Sequence, residues 1–188
     1  MPKKVKFTRE DIASAAMELV RTNGAEALSA RTLAAAIGCS TAPIFTAFSS
    51  IDEVLDEVKS RGYMLYTEYI KKGLTADVPF KAAGLMYIKF AKDEPKLFEL
   101  IFMGKSDIAT GYFPSGDKNE VAVRQSMKHY DEFGDEKAMR IYNHLSVYTH
   151  GLATLAARGN HTFSDEDIDK MLSEVYNSLV KGLNDESN

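Results

Sequence analysis

Apolar residues recur along this chain at intervals of three and four. Ile12, Ala16, Leu19 and Val20 form one such stripe, and Ile168, Leu172, Val175, Leu179 and Leu183 form another. That spacing lays one apolar face along a helix. No segment alternates with period two for long enough to make a strand, so the pattern predicts an all-α fold. The punctuation agrees. Thr8 suits an N-cap with Asp11 at the third helical position, and Phe7 and Ile12 occupy the staple positions around it. Ser29 repeats the staple with Leu28 and Leu33, Ser50 to Glu53 reads as a capping box, and Ser164 has Asp167 three residues on, between Phe163 and Ile168. Gly24, Gly38 and Gly159 read as stops. The elements predicted are helices near 8–23, 29–37, 41–48, 51–73, 79–93, 95–103, 118–133, 135–158 and 164–183, about nine in all, with bounds good to about 2–4 residues. Pro79 and Pro95 suit first-turn positions, and residues 104–117, with three glycines and Pro114, read as a loop.

Composition narrows the class. At 45% hydrophobic and 27% charged over 188 residues, the chain has the balance of a globular protein able to bury a core. No apolar run approaches the ~20 residues needed to span a bilayer, and the start Met-Pro-Lys-Lys is not that of a signal peptide, so no membrane association and a cytoplasmic location are expected. Cys39 is the single cysteine, which excludes an internal disulfide and a cysteine-based metal site. It can be read as a redox switch or as a small residue filling a buried site. His129, His144, His150 and His161 show no ligand spacing, so neither a metal nor any other cofactor is expected.

Charge is unevenly placed. Residues 1–50 carry six basic against four acidic side chains, a net +2, whereas the whole chain is −4 and the remainder therefore −6. Lys3, Lys4, Lys6 and Arg9 precede the first acidic residue. A basic arm on an otherwise acidic protein is either a solvated tail or a small electrostatic footprint for nucleic acid.

Residues 29–48 favour the second. A helix-turn-helix needs two short helices joined by a turn of about 3–4 residues, often containing glycine. Gly38 supplies the turn, Ala34 and Ala35 allow close approach, and Leu33, Ile37, Ile44 and Phe48 form a wedge toward the first helix. Ser40 suits a cap for the second helix, and Pro43 falls in its first turn. Thr41, Ala42 and Thr46 are left as small outward groups on a helix short enough for the major groove. The other reading of the same geometry is a helical hairpin inside an α-bundle.

At this point the sequence resembles the TetR family of helix-turn-helix transcriptional regulators. The resemblance runs from Phe7-Thr-Arg-Glu-Asp-Ile12 through Leu33-Ala-Ala-Ala-Ile-Gly38 and Cys39-Ser-Thr-Ala-Pro-Ile-Phe-Thr-Ala-Phe48 to Ser50-Ile-Asp-Glu-Val-Leu55. Ala83 to Phe102 and His150 to Gly159 resemble the ligand-binding domain of one TetR subgroup. The resemblance implies an N-terminal three-helix helix-turn-helix head over residues 1–50 and a larger C-terminal helical bundle for ligand binding and dimerisation over residues 51–188. It implies double-stranded operator DNA as one partner and an unidentified small-molecule effector as another. It also implies a ligand-responsive regulator of the repressor type, not an enzyme. Three positions depart from the family pattern. Phe45 stands where a tyrosine is usual, Ala47 where a histidine is usual, and Ile51 where a lysine often opens the next helix. From Thr32 to Ile51 no residue is charged. Candidate DNA-binding residues are therefore Lys3, Lys4, Lys6, Thr8, Arg9, Arg31, Ser40, Thr41, Ala42, Pro43, Phe45 and Thr46, with phosphate contact resting on the arm, Arg31, hydroxyls and helix N-termini.

The body beyond residue 55 holds most of the aromatic residues, and rings with one polar end suit either core or an apolar pocket. With the effector site that the resemblance implies, Tyr66, Tyr87, Phe90, Phe102, Met103 and Tyr148 are the candidate ligand-binding residues. Helices near 135–158 and 164–183 carry apolar residues on more than one face, Ile141, Leu145, Tyr148, Leu152 and Leu155 making one stripe beside Gly151 and Ala153. Such an excess suggests a homodimer through a two-fold four-helix interface. Two other classes stay open: a helical ligand-binding or adaptor protein that has lost DNA reading, and a small helical enzyme. The enzyme lacks a nucleophile elbow or phosphate loop to support it.

Overall fold

The computed structural model describes residues 7–103, 119–128, 130–159 and 163–185, and all regular structure among them is helical. In order these are α1 (Arg9–Asn23), α2 (Ala30–Ile37), α3 (Ala42–Ala47), α4 (Ile51–Leu74), α5 (Pro79–Asp93), α6 (Pro95–Phe102), α7 (Glu120–Gln125), α8 (Tyr130–Ala157) and α9 (Asp165–Asp185), with a single 3-10 turn at Ala25–Ala27. The chain divides into two compact units. Among the described residues, one holds residues 7–65 and 94–103, the other residues 66–93 and those from 119 onward.

Local chemistry explains the helix ends. The Thr8 hydroxyl accepts from the Asp11 amide at 3.1 Å while the Asp11 carboxylate accepts from the Thr8 amide at 2.8 Å, so two N-terminal donors that the helix cannot satisfy are satisfied reciprocally. Ser29 does the same with Thr32 rather than with an acidic residue. Ser164 and Asp167 close a third box ahead of α9. At Ser50 the box is only half made. The Glu53 amide donates to the Ser50 hydroxyl at 3.1 Å, but the Glu53 carboxylate takes the amide and hydroxyl of Ser49 instead. Ser40 does not cap α3, whose N-cap is Thr41 with no capping side chain among the described residues. Its first turn instead carries Pro43, whose missing N–H leaves nothing unsatisfied there. Gly38 is left-handed (φ 69°, ψ 36°) and ends α2, a conformation that other residues enter at a cost.

In the first unit, α1 packs on α2, α3 and α6. Ile12, Ala16, Val20, Leu33, Ile44 and Phe48 are all buried. Helix α6 joins this unit because Leu97 and Phe98 are buried in it. Gly62 of α4 sits so close to Ile101 that a Cβ there would stand 2.8 Å from Ile101 Cδ1. Arg21 fixes the same helix by two hydrogen bonds to Glu94, Nε–Oε2 at 2.8 Å and Nη2–Oε1.

The second unit is α5, α7, α8, α9 and the last turns of α4. Met127, Ala138, Ile141, Leu145 and Leu183 form a buried cluster, flanked by Phe80, Phe133 and Tyr176. The helical run from Tyr130 to Ala157 is interrupted at Gly134 (φ 71°, ψ 168°), so the long straight part of α8 begins at Asp135. Residues 126–128 are turns, which shortens the predicted helix 118–133 to α7. Ile141 and Leu145 belong to this cluster and Leu152 is buried as well, so most of the stripe Ile141, Leu145, Tyr148, Leu152 and Leu155 is already covered within the unit. The large apolar side chains left outside on α8 are Val147 and Leu155, 49% and 42% exposed.

Candidate functional site

The surface of the first unit is organised around α3, six residues long. Leu33, Ile44 and Phe48 are buried beneath it, with Ile37 half-buried, as the wedge reading expected. Ser40, Thr41, Ala42, Phe45 and Thr46 are exposed together and Pro43 is half-buried. Phe45 stands out at 51% exposure, a large apolar side chain on an uncharged face. The Thr46 hydroxyl donates back to the Ala42 carbonyl at 2.9 Å, leaving oxygen lone pairs outward. Arg31 is exposed on α2. Thr8 is occupied as a cap, and Cys39 is half-buried with its thiol donating to the Ser40 carbonyl at 3.0 Å. Lys3, Lys4 and Lys6 lie outside the described residues.

Arg9 is held on the unit itself. Its guanidinium donates to the Ala47 carbonyl at 2.6 Å and to Glu53 at 2.9 Å, and lies over the Phe48 ring. The hydroxyl and amide of Ser49, with Arg9 beside them, pull the Glu53 carboxyl down to about 2. Two turns further along α4, Arg61 bridges Glu10 at 2.6 Å and Glu57 at 2.9 Å, joining α1 to α4.

The second unit contains a cavity of about 630 Å³, within the ~300–1,000 Å³ usual for small-molecule sites. Its wall is built from α5, α7, α8, α9 and the end of α4, and includes Tyr66, Ile70, Phe80, Tyr87, Tyr142, Leu145, Ser146, Thr149, Leu172 and Tyr176. Of the six candidate ligand residues, Tyr66 and Tyr87 line it. Phe90 is fully buried behind them, its ring centroid 5.7 Å from that of Tyr66. Tyr148 is half-buried on α8 and outside the lining, and Phe102 and Met103 belong to the first unit with α6.

Tyr87 Oη lies 2.8 Å from His150 Nδ1. Burial keeps the His150 ring neutral to lower pH than a free imidazole. With its proton on Nε2, that neutral ring accepts from the phenol at Nδ1. Burial pushes the Tyr176 phenol up, and its hydroxyl donates to the Lys128 carbonyl at 3.2 Å. The small hydroxyls Ser146 and Thr149 were missed by a reading that looked for aromatic residues. Their signal is two polar residues set three apart within the apolar face Tyr142, Leu145, Leu152 and Ala153. Among the described residues no group of three or more His, Cys, Asp or Glu is placed to hold a metal, and no helix is long and apolar enough to cross a membrane.

Two family profiles match the chain. That of the bacterial regulatory proteins of the tetR family covers residues 12–58, and that of the tetracyclin repressor-like C-terminal domain covers residues 80–179. The second spans more than half of the 188 residues, and the chain belongs to the TetR family of helix-turn-helix transcriptional regulators. No curated protein matches it significantly in sequence. Among solved structures, a protein of unknown function from Rhodococcus sp. RHA1 shares its fold, with a TM-score of 0.71 at 21% identity over 97% of this chain and 98% of that one.

Proposed function

We propose that this regulator is a ligand-responsive repressor that binds a pseudo-palindromic operator as a homodimer and is released by a small molecule held in the second-unit cavity. Residues 1–50 then carry DNA reading, and residues 51–188 carry effector binding and dimerisation. The observation that carries the reading is the exposed cluster Thr41, Ala42, Phe45 and Thr46 on a helix whose other face is buried by Ile44 and Phe48, in a chain with a separate ligand-sized cavity. Small hydroxyls, a methyl and an aromatic edge suit thymine methyl groups and base edges in the major groove. Phosphate attraction comes from the lysine arm and Arg31. In a dimer, two copies of α3 meet half-sites about 34–36 Å apart. Helix α4 begins in the first unit and ends in the second, so a ligand-induced change in its last turns is transmitted to the head as a change in half-site spacing. The protein acts by binding and does no catalysis.

Fluorescence anisotropy with DNA from upstream of its own gene, supplemented by selection from random duplexes, tests this. Competitor-resistant binding is expected, with affinity falling as salt rises. Arg31→Ala should reduce the log–log salt slope by about 1. Absence of sequence-selective binding in both assays would leave the uncharged α3 face as a protein-docking surface and reject the repressor reading.

A further inference from the structure

The geometry points to an uncharged, ring-bearing small molecule as the occupant of the second-unit cavity, with one hydrogen-bonding oxygen seated against the Ser146 and Thr149 hydroxyls. This rests on reading the cavity as the effector site and adds the chemical class that the site selects.

The polarity of the wall is uneven. Among the lining residues, Asp77 and Lys128 are exposed. Lys81 is paired with Asp169, Nζ–Oδ1 at 2.8 Å. The buried part of the lining contains no charged side chain among the described residues; its polar members are Tyr66, Tyr87, Tyr142, Ser146 and Thr149. A carboxylate or ammonium drawn inward would give up its hydration and meet no counter-charge, which disfavours it strongly. A neutral molecule pays no such penalty.

The hydroxyls then locate its polar end. Ser126 donates to the Val123 carbonyl at 2.6 Å and Ser173 to the Asp169 carbonyl at 2.9 Å, so both are engaged by the fold. Ser146 and Thr149 are each 8% exposed and make no side-chain hydrogen bond among the described residues. Serines on α9 turn back to the carbonyl four residues earlier, as Ser173 and Ser178 do, but these two do not. Among the described residues Arg124 Nε alone is a fully buried polar side-chain atom without a hydrogen-bond partner, so the Ser146 and Thr149 oxygens are open to the cavity, where a ligand can satisfy them. Here the pair lies three residues apart on one face of α8, about 5–6 Å between Cβ atoms, and both line the cavity. Each can donate and accept, which fits a phenol, alcohol or ketone oxygen between them. Rings are available for the rest of the molecule, with Phe80 and Tyr176 centroids 5.9 Å apart and Tyr66 and Tyr87 centroids 5.8 Å apart.

Calorimetric titration of the full chain, free of DNA, with 1-naphthol, naphthalene, 1-naphthoate and 1-naphthylmethylammonium tests the class. Naphthol should bind at least about ten-fold more tightly than either ion. The double variant S146A/T149V should weaken naphthol about three- to ten-fold while leaving naphthalene within about two-fold. The ranking of the four probes on the unaltered protein stands whether or not the variant folds. Equal or tighter binding of either ion, no naphthol binding at saturation, or naphthol affinity unmoved in a folded S146A/T149V overturns the proposal. Operator release by naphthoate would overturn this ligand class while upholding the cavity as effector site. Naphthol binding that leaves operator affinity unchanged would uphold the class and reject release by ligand.

Discussion

The Arg9 guanidinium sits over the Phe48 ring, its central carbon 3.9 Å from the ring centroid. Phe48 is the residue that ends α3, and the same guanidinium holds the carbonyl of Ala47. The last cation of the basic arm therefore clamps the end of α3 to the start of α4. Arg9→Ala should destabilise this corner by roughly 1 kcal/mol, a modest effect because both Arg9 and Glu53 are more than a third exposed. Lysine keeps the charge but not the flat fork that stacks and donates at once, so Arg9→Lys should recover less than half of the loss. Amide hydrogen exchange across α3 reads the effect locally, and unchanged protection in Arg9→Ala would show that the clamp contributes nothing.

Much of this was legible beforehand because helix ends are local chemistry. The boxes at Thr8 and Ser164, the stop at Gly38 and the break just before Asp135 depend on residues a few positions apart. So does the wedge of Leu33, Ile44 and Phe48, which needs only helical spacing. The failures were of another kind. Arg9 reaches a carbonyl 38 residues away, and α6 joins the first unit through Ile101 and Glu94, so Phe102 and Met103 looked like cavity residues until packing placed them elsewhere. Ser146 and Thr149 escaped notice because nothing in a sequence says that a helical hydroxyl will decline its own backbone carbonyl.

Glu53 supplies a pH signature. Its carboxyl is held at about 2 in the folded chain against an ordinary 4.5, first by the Ser49 hydroxyl and amide and then by Arg9. A depressed carboxylate stabilises the fold fully above its unfolded value and loses that contribution as pH falls toward its folded value. Stability should therefore decline between pH 4.5 and about 2, and the decline should be shallower in Glu53→Gln. Denaturant titrations at several acidic pH values check this, with identical slopes in the two proteins counting against it.

Gly73 is required by a close approach of backbones. A Cβ there would lie 2.7 Å from Ala83 Cα and 2.8 Å from the Ala82 carbonyl carbon and oxygen, atoms that cannot rotate aside. Gly73→Ala should cost about 1–3 kcal/mol despite alanine's better helix propensity. Gly62→Ala meets only the tip of the Ile101 side chain, which can move, so its thermal midpoint should fall less. Equal midpoints for the two variants would contradict the difference in what they strike.

His150 adds a second pH window. Burial lowers its pKa from 6.5, so the unfolded chain takes up the proton more readily than the folded one. Neutrality of the ring thus favours the fold above about pH 6.5, and that advantage is lost as the solution is acidified below it. The Tyr87 contact makes the same point in structural terms, since a doubly protonated ring has no acceptor for the phenol. His150→Gln keeps an acceptor without titrating. Unfolding free energies at about pH 7.5 and 5.5 should differ less in this variant than in the parent, and an undiminished difference would assign the slope to other groups.

The outer stripe of α8 carries the prediction for assembly. Val147, Gly151 and Leu155 recur every four residues, Val147 and Leu155 are about half exposed, and a Cβ at Gly151 would meet nothing within 4 Å. Apolar side chains flanking a bare backbone let a second helix approach closely, and an isologous pairing brings each stripe against its own copy. Val147→Glu or Leu155→Glu places two like charges across such an interface while leaving the protomer's buried residues Ile141, Leu145 and Leu152 in place. Each variant should sediment as a monomer at micromolar concentration, keep its helical circular dichroism, and lose operator affinity at least ten-fold, because one head alone retains only half the contacts. A dimer that survives both substitutions would move the interface off this stripe.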